Sequence, residues 1–396
     1  MSKSSLMQEK KKFYIDRTLV AILILMTIAS MLAIFGSLPL LPQWKNGVEL
    51  LVKQGLWYLI GYGFLIFLIF FGIDRLFTGI RLFYWILLGL LVLLLLDKVV
   101  NLPFISPVSG TRAWFNFPGI GSVQPSEFMK IVLVIMTANV VHEHNQSKTE
   151  MSYASDFKLF FRIGKFVLPP LLLIFLQPDT GIPMIIVIGI LSMLAVGGVR
   201  REWVWFGSIA LIAGFAGLVV LFYNNPDLLS SILGAGYKLN RFYGWLETEK
   251  YISSWGSQLY QGMLAVGSGG WFGHGLASKL VTILEPQNDF IFAVIGQDFG
   301  FFGTTAVLVL SLLLDLKLAL IALQYPEPRE RYMVAGLLGM LLFQQIQNMG
   351  MIVGLLPITG ITLPLISAGG SSLLSFMLPL AIIFHMSSEN KNRRIH

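Results

Sequence analysis

Residues 258–303 read QLYQGMLAVGSGGWFGHGLASKLVTILEPQNDFIFAVIGQDFGFFG, and the rest of the chain is organised around them. This stretch lies among long apolar segments, yet it holds five glycines between positions 267 and 275. It also carries two acids, Glu285 and Asp289, the second directly followed by the apolar run 290–295. Because a carboxylate at the mouth of a membrane helix is energetically costly, it usually has a function. Asp289 is therefore the first candidate functional residue.

The composition of the chain is that of a membrane protein. The 396 residues are 55% hydrophobic and only 12% charged, whereas a soluble domain has roughly 25% charged residues. There is no cysteine, which excludes disulfides and thiol chemistry. The net charge of +7 does not indicate nucleic acid as a partner, because the basic residues lie in short loops, where they set membrane topology.

Ten apolar segments approach the length of about 20 residues that crosses a bilayer. They predict an all-α polytopic protein with ten transmembrane helices. The first follows a basic N-terminus, but its length and the lack of a cleavage site favour a membrane helix over a signal peptide. The fifth contains two prolines and the eighth is unusually long. The predicted helices are 17–37, 50–72, 80–98, 125–143, 163–177, 181–198, 203–223, 289–321, 332–354 and 365–386.

The distribution of lysine and arginine predicts the orientation of these helices. An even number of crossings places both termini on one side. Basic residues concentrate near the termini and in every second turn, so the positive-inside rule makes both termini cytoplasmic. The large loop 224–288, between helices 7 and 8, is then extracytoplasmic. We expect residues 1–396 to form a single membrane domain.

Four segments on the predicted outer side are polar or rich in glycine and proline: 106–130, 177–183, 224–288 and 355–372. Glycine and proline so close to helices suggest broken or re-entrant backbone. Such backbone is tolerated at membrane depth only when it is buried in protein or lines a cavity. We therefore expect these segments to converge on a cavity that opens to the outer leaflet.

These segments carry, in order, motifs that resemble those of the SEDS family (shape, elongation, division and sporulation), which includes RodA, FtsW and SpoVE. The resemblance covers most of the chain. Three positions depart from the family pattern: Asn288 replaces Thr or Ser, Gln297 replaces Glu, and Ala368 replaces a frequent Tyr. The matching segments are GTRAW (110–114), QPSEFMK (124–130), QPDTG (177–181), QGMLAVGSGGWFGHGL (261–276), NDFIFAVIGQDFGFFG (288–303) and NMGMIVGLLPITGITLPLISAGGSS (348–372).

The resemblance implies a peptidoglycan glycosyltransferase that polymerises lipid II into glycan strands. It further implies the bacterial plasma (inner) membrane, an active site facing outside, and a partner that is a class B penicillin-binding protein, a single-pass transpeptidase. Other elongation or division proteins are expected partners. A divalent cation, Mg²⁺ or Mn²⁺, is a candidate cofactor, although no metal-ligand motif is present. The N-terminal YIDRTL and the short tails favour a RodA-type elongation role, with FtsW-type division as the alternative.

The chemistry of this reaction assigns Asp289 a role. Forming a β-1,4 bond from an α-linked pyrophosphate inverts the anomeric centre, so one carboxylate suffices as general base for the acceptor hydroxyl. Asp289 matches the aspartate that the family uses, and a helix N-terminus would favour its ionised form. The alternative is that Asp289 is only a helix N-cap, a common position for aspartate.

The other charged candidates have two interpretations each. Arg112, beside Trp114, suits a phosphate group or is an ordinary surface arginine, and Arg241 is a weaker basic candidate. Glu127 and Lys130 share a helix face and form either a buried pair that shapes the cavity or a contact to pyrophosphate. Glu285 binds sugar hydroxyls or a cation, or is a solvated loop acid.

The remaining candidates are polar residues of the matching motifs. Gln177 and Asp179 flank a tight turn, where aspartate is common for structural reasons. The serines of the last motif form the cavity wall more than the catalytic machinery. These candidate substrate-binding residues are Gln124, Ser126, Gln177, Asp179, Ser367, Ser371 and Ser372.

Two competing functions remain at the level of sequence. A lipid II flippase would need a similar cavity, but transporters of this size often contain two-fold repeats, and none is visible. A scaffold without activity of its own would make Asp289 replaceable without loss of turnover.

Overall fold

The computed structural model describes residues 12–100, 105, 112–117, 121–148, 150, 152–233 and 236–395. The basic residues Lys3, Lys10 and Lys11, and Gly110 and Thr111 of the first outer motif, lie outside the described residues. The described part contains thirteen α-helices. These are α1 (Arg17–Ser37), α2 (Gly47–Phe71), α3 (Ile73–Val100), α4 (Pro125–Ser147), α5 (Tyr153–Leu176), α6 (Gly181–Val196), α7 (Arg201–Asn224), α8 (Pro226–Leu233), α9 (Tyr237–Leu246), α10 (Ser257–Ser268), α11 (Ile291–Gln324), α12 (Pro328–Ile352) and α13 (Gly370–Ile395).

The helix starts follow local capping rules. Asp16 caps α1 by accepting a hydrogen bond from the Leu19 amide at 3.1 Å. Asn46 caps α2 in the same way, and Ser152 caps α5. A side-chain acceptor at this position satisfies an amide that has no partner inside the helix. The sequence therefore fixes these boundaries locally.

All ten predicted segments are helical, and the membrane character of the fold is clear. In the described ranges, the helices that are long and apolar enough to cross a bilayer number seven, namely α1, α2, α3, α5, α7, α11 and α13. Helix α6 is apolar but has only 16 residues. Helix α5 starts at Tyr153, ten residues before the predicted start, because its first turns carry charged residues that hid the helix from a hydropathy argument.

Two local features of the fold were not predicted. The otherwise helical fold contains a short hairpin, in which Phe115–Phe117 (β1) pairs antiparallel with Gly121–Val123 (β2), with Phe115 opposite Val123. The segment 224–288 contains α8, α9, a short 3₁₀ helix (Thr248–Tyr251) and α10. Short amphipathic helices of eight to twelve residues fall below the length that a search for membrane spans detects.

Small residues allow the central helices to approach closely. Helix α12 packs against α6, and a Cβ added at Gly189 would lie 2.7 Å from the Cγ of Met340. Gly370, the first residue of α13, faces the ring of Trp57 in α2, and a Cβ there would overlap the ring. Close backbone contact through small residues is the usual way in which membrane helices associate.

The two ends of the chain meet at one end of the bundle. The Tyr14 amide donates to Ser388 Oγ at 2.9 Å, and Asn392 Nδ2 donates to the Lys12 carbonyl at 2.9 Å. Asp16 forms a salt bridge of 2.9 Å with Lys317, a residue in the last turns of α11. The chain ends therefore lie at the opposite end of α11 from Asp289.

Candidate active site

Asp289 lies two residues before α11, outside the membrane-spanning segment, and is partly buried. The N-cap position of α11 is Phe290, and no side chain caps this helix. The N-cap interpretation of Asp289 is therefore wrong. Its carboxylate forms no salt bridge with any residue in the described part of the chain. A hydrogen bond from the backbone of Asp289 itself stabilises the ionised carboxylate.

Burial raises the pKa of Asp289 to about 6, although the positive charge of Arg241 opposes the shift and the nearby Glu285 adds to it. The sequence led us to expect that the helix N-terminus would favour the ionised form, but removal from water outweighs that effect. A carboxylate with a pKa close to the working pH is well matched to proton transfer.

The backbone of Asp289 is fixed by the buried side chain of Asn348 in α12. Asn348 Nδ2 donates to the carbonyl of Asp289 at 2.8 Å and to the carbonyl of Ile361 at 2.8 Å. The Ala368 amide donates to the Gln287 carbonyl at 2.9 Å. One amide side chain thus joins the turn before α11 to the segment between α12 and α13.

Glu285 has protein partners, and its side chain keeps an exposed fraction of 38%. Its carboxylate forms a salt bridge of 2.9 Å with Lys45, in the connection between α1 and α2. It also accepts hydrogen bonds from Gln287 Nε2 at 2.8 Å and Asn288 Nδ2 at 3.0 Å. Asn288, which departs from the family pattern, therefore helps to hold Glu285. Lys45 was not among the predicted site residues, and nothing in the sequence relates it to Glu285.

A second group of predicted residues meets at the start of α4. The Gln124 amide donates to Ser371 Oγ at 3.0 Å, and Gln124 Nε2 donates to Asp179 Oδ2 at 3.0 Å. Ser371 Oγ in turn donates to the Ser122 carbonyl at 3.2 Å. Asp179 Oδ1 accepts from the Ile182 amide at 3.2 Å, at the start of α6. Three motifs that are far apart in sequence thus share one hydrogen-bonded network.

The two groups of residues are neighbours in space. A Cβ added at Gly181, two residues after Asp179, would lie 3.1 Å from the side chain of Ile361. The carbonyl of Ile361 is the one that Asn348 holds together with that of Asp289. Burial raises the pKa of Asp179, and the negative charge of Glu127 adds to this. Ile361, in the segment between α12 and α13, therefore contacts residues of both groups.

Glu127 and Lys130 form the buried salt bridge that their spacing predicts. Lys130 is fully buried, and its ammonium group lies 4.7 Å from the centre of the Phe376 ring in α13. With a carboxylate on one side and an aromatic face on the other, this cation is held in place. The pair joins α4 to α13 and shapes the region beside Asp179.

Arg112 is held by an acid that the sequence analysis missed. Its Nη1 lies 2.7 Å from Asp97 Oδ2 and donates to the Asp97 carbonyl at 2.9 Å. The Asp97 side chain is 2% exposed. An acid near the end of a long apolar run was a usable signal for Asp97, because such residues usually pair. Trp114 lies two residues further on and is partly buried.

Gln297 and Asp298, in the first turns of α11, hold residues 277–281, which directly follow the glycine-rich run. Gln297 Oε1 accepts from the Val281 amide at 2.9 Å, while its Nε2 donates to the Ser278 carbonyl at 3.1 Å. Asp298 accepts from the Ala277 amide at 2.9 Å and from the Ser278 amide at 3.1 Å. A glutamate at position 297 would lose the bond to the Ser278 carbonyl, so the departure from the family pattern matches a structural role.

The glycines of this segment permit close backbone approach to α11. Helix α11 is interrupted at Gly300, whose φ of 63° and ψ of −151° are accessible almost only to glycine. A Cβ at Gly300 would lie 2.5 Å from the Gly273 amide nitrogen. The glycine-rich run therefore wraps the start of the helix that follows Asp289.

Of the remaining predicted residues, Ser367 and Gln177 have hydrogen-bond partners, and the other three are described by their positions. Ser367 Oγ accepts from the Leu363 amide at 2.9 Å. Gln177 Nε2 donates to the Leu91 carbonyl at 3.1 Å. Ser126 Oγ is buried and has no hydrogen-bond partner among the described residues. Ser372 is partly buried in the first turn of α13, and Arg241 in α9 lies 3.8 Å from where a Gly360 Cβ would be.

The candidate site offers few ligands for a metal ion. Within the described ranges, no three or more His, Asp or Glu side chains converge in a way that could hold one. Glu285, the acid closest in sequence to Asp289, is committed to Lys45. A divalent cation would have to take most of its ligands from phosphate oxygens and water, as Mg²⁺ commonly does.

Comparison with known proteins defines the family. A family model described as a cell cycle protein, covering FtsW, RodA and SpoVE, matches residues 16–392. The chain belongs to this family. It is 33% identical over 308 residues to stage V sporulation protein E of Bacillus subtilis, covering 76% of this chain and 79% of that protein. It is 30% identical over 305 residues to the probable peptidoglycan glycosyltransferase FtsW of Lactococcus lactis, covering 73% of this chain and 72% of that protein.

Two solved structures share the fold. One is a peptidoglycan synthase complex that coordinates polymerisation and crosslinking, with a TM-score of 0.71 and 25% identity, covering 95% of this chain and 98% of that chain. The other is the rod shape determining protein RodA of Thermus thermophilus, with a TM-score of 0.65 and 25% identity, covering 95% of this chain and 97% of that chain. The resemblance read from the motifs is thereby confirmed.

Proposed function

We propose that this chain polymerises lipid II into glycan strands, acting as an inverting peptidoglycan glycosyltransferase with Asp289 as the general base. Relatives of this family are named peptidoglycan glycosyltransferases. The single observation that carries the proposal is Asp289 itself. Its carboxylate is neither a helix cap nor part of a salt bridge in the described residues, while its backbone is clamped by Asn348.

The proposed step is a single displacement. The carboxylate of Asp289 takes the proton of the acceptor's 4-hydroxyl as that oxygen attacks the anomeric carbon of the donor. The bond from this carbon to the pyrophosphate breaks, and the electron pair leaves with the pyrophosphate. With a pKa of about 6, Asp289 is largely ionised at neutral pH and ready to accept the proton.

The leaving pyrophosphate requires positive charge nearby. Arg241 is proposed as one source of this positive charge, because its charge acts on the neighbouring Asp289. Arg112 is oriented by its salt bridge with Asp97 and lies two residues before Trp114. It is proposed as a further phosphate ligand. Lys130 is fully buried and paired with Glu127, so its proposed role is to shape the cavity. Mg²⁺ or Mn²⁺ would add positive charge at the phosphates.

The proposed cellular setting follows the family. Ten crossings of the bacterial plasma membrane would place both termini in the cytoplasm and Asp289 at the outer face. A class B penicillin-binding protein is the proposed partner, and its single helix would contact an exposed face of α11 or α12. The native chain has no cysteine, so single cysteines at Lys250 and Arg393 test this topology. An impermeant maleimide should label position 250 in intact cells and position 393 only after permeabilisation.

The decisive experiment compares Asp289→Asn with a matched control, Asp227→Asn, which alters an exposed acid in the first turn of α8. Each protein is purified with its transpeptidase partner, given lipid II and Mn²⁺, and assayed for glycan strands on a gel. We expect strands from wild type and Asp227→Asn and none from a folded Asp289→Asn. Strand formation by Asp289→Asn at the wild-type rate would refute the assignment of the base.

The same experiment separates the competing functions. If wild type makes no strands with partner and cation present, but accelerates movement of fluorescent lipid II between leaflets of a vesicle, the chain is a flippase. If it does neither, a scaffold role replaces the proposal. An elongation role of the RodA type, as opposed to division, would appear as loss of rod shape with continued septation on depletion.

A further inference from the structure

A cationic face lies on α5, at the end of the bundle far from Asp289. It consists of Lys158, Arg162 and Lys165, all exposed. Steps of four and three residues place these side chains within about 60° of one another around the helix axis. They therefore form one continuous positive surface, here called the α5 cationic face.

The positive charge of this face is not neutralised by the protein. In the part of the chain that the structure describes, none of the three side chains forms a salt bridge. Two acids at this end of the bundle pair with other cations: buried Asp156 with Lys148 at 3.4 Å, and Glu202 with Arg200 at 3.1 Å. The ammonium group of Lys165 instead lies 4.7 Å from the centre of the Phe161 ring.

The same side of α5 continues as an apolar surface. Phe161, Leu168 and Leu172 are 68%, 57% and 62% exposed, and α5 is one of the seven helices able to span a membrane. A positive surface that continues into exposed leucines matches a ligand with a negative headgroup and hydrocarbon chains. Long basic side chains reach such headgroups while their stems stay in the apolar layer.

We propose that the α5 cationic face binds the headgroup of an anionic phospholipid, with Arg162 contacting the phosphate and the two lysines flanking it. Arginine matches phosphate oxygens through paired donors, and lysines near a membrane surface add attraction to anionic lipid. The acyl chains lie along Leu168 and Leu172. The bound lipid stabilises the end of the bundle opposite the catalytic carboxylate.

The test uses the full-length protein in a neutral detergent, titrated with short-chain phosphatidylglycerol or phosphatidylcholine and followed by native mass spectrometry. The variant is the triple Lys158→Gln, Arg162→Gln, Lys165→Gln. A control triple removes the same charge at the Asp289 end of the bundle. A second control, Lys158→Arg, Arg162→Lys, Lys165→Arg, keeps the charge. The charge-removing control is Lys53→Gln, Lys250→Gln, Lys279→Gln.

We expect wild type to prefer phosphatidylglycerol and the first triple to bind it about 100-fold more weakly. The charge-removing control should stay within about threefold of wild type. The charge-keeping control should bind phosphatidylglycerol far more tightly than the first triple but less tightly than wild type, because it keeps the charge and loses the paired donors of Arg162. An unchanged preference in the first triple, or an equal loss in the charge-removing control, would overturn the proposal. Equal binding of soluble glycerol phosphate would show that the face takes free phosphate, and would overturn the assignment to lipid. The comparison requires that the first triple variant is folded, and its melting temperature in phosphatidylcholine checks this.

Discussion

Replacing Asn348 with alanine tests whether one buried amide positions the candidate base. Its Nδ2 makes two hydrogen bonds of 2.8 Å, to the carbonyls of Asp289 and Ile361. The substitution leaves both carbonyls without this donor, and each unsatisfied buried group costs about 1–3 kcal/mol. The Asn348 Oδ1 has no partner among the described residues, and its removal offsets part of that cost. We expect a net destabilisation of about 2–4 kcal/mol.

The effect on catalysis should be larger than the effect on stability. Without the clamp, the turn that carries Asp289 can shift relative to the substrate, and a displacement of about 1 Å costs on the order of 100-fold in rate. Asn348→Asp keeps the shape but places an acceptor against two carbonyls, so it should be at least as damaging. The assay is glycan strand synthesis from lipid II, with melting temperature measured in parallel.

The matched control for this prediction lies one turn away on the same helix. Gln344 is also buried, and its Oε1 has no partner in the described part of the chain. Gln344→Ala therefore removes a similar amide without touching the turn of Asp289. Wild-type synthesis by Asn348→Ala, or an equal loss of synthesis in Gln344→Ala, would show that Asn348 does not position the base.

Three further predictions concern pairing, pH and packing. Lys130→Met strands the Glu127 carboxylate and should cost about 3–5 kcal/mol, with partial recovery of the melting temperature in the double variant Lys130→Met, Glu127→Leu; no recovery would argue against coupling. Because the pKa of Asp289 is about 6, glycan synthesis should be half-maximal near pH 6 and fall about tenfold per pH unit below it. The ordinary pKa of this group is 3.8, so its contribution to folding stability is full below about pH 4 and is lost as the pH rises through 6. A rate of synthesis that stays constant from pH 5 to 8 would contradict the first expectation. Gly370→Ala should lower the melting temperature, because the added Cβ would overlap the Trp57 ring at a cost of about 1–3 kcal/mol. Gly63→Ala should leave the melting temperature unchanged, because a Cβ there meets nothing within 4 Å. Equal effects of the two substitutions would refute the packing argument.

Structural features that depend only on residues close together in the sequence could be predicted from it. The spacing of Glu127 and Lys130 placed them on one helix face, and the structure pairs them. The ten apolar segments are all helices, because apolar length is a property of a single segment. The interpretation of Asp289 as the general base, which stays a prediction, used both its position before an apolar run and the resemblance of its motif to the family.

The sequence could not predict partners supplied by distant segments. Glu285 meets Lys45 across 240 positions, and no local pattern distinguishes that lysine from other loop lysines. The role of Gln297 depends on the path of residues 278–281 around α11, which was not visible before the fold. The short helices within 224–288 were missed because their apolar faces are too brief to resemble membrane spans.

The position of α1 has a consequence for how the protein is made. This helix packs mainly against α11, and Ser30 Oγ donates to the carbonyl of Ile366 at 2.7 Å. About 250 residues separate Ser37 from Ile291, so α1 waits about 10–50 s during synthesis for its neighbours to emerge. Over that interval Ser30 lacks its acceptor on Ile366, whereas Ser37 already donates to the Ile34 carbonyl within α1. Biogenesis of this protein should therefore depend on an insertion factor that retains the first helix until the last third of the chain has been translated.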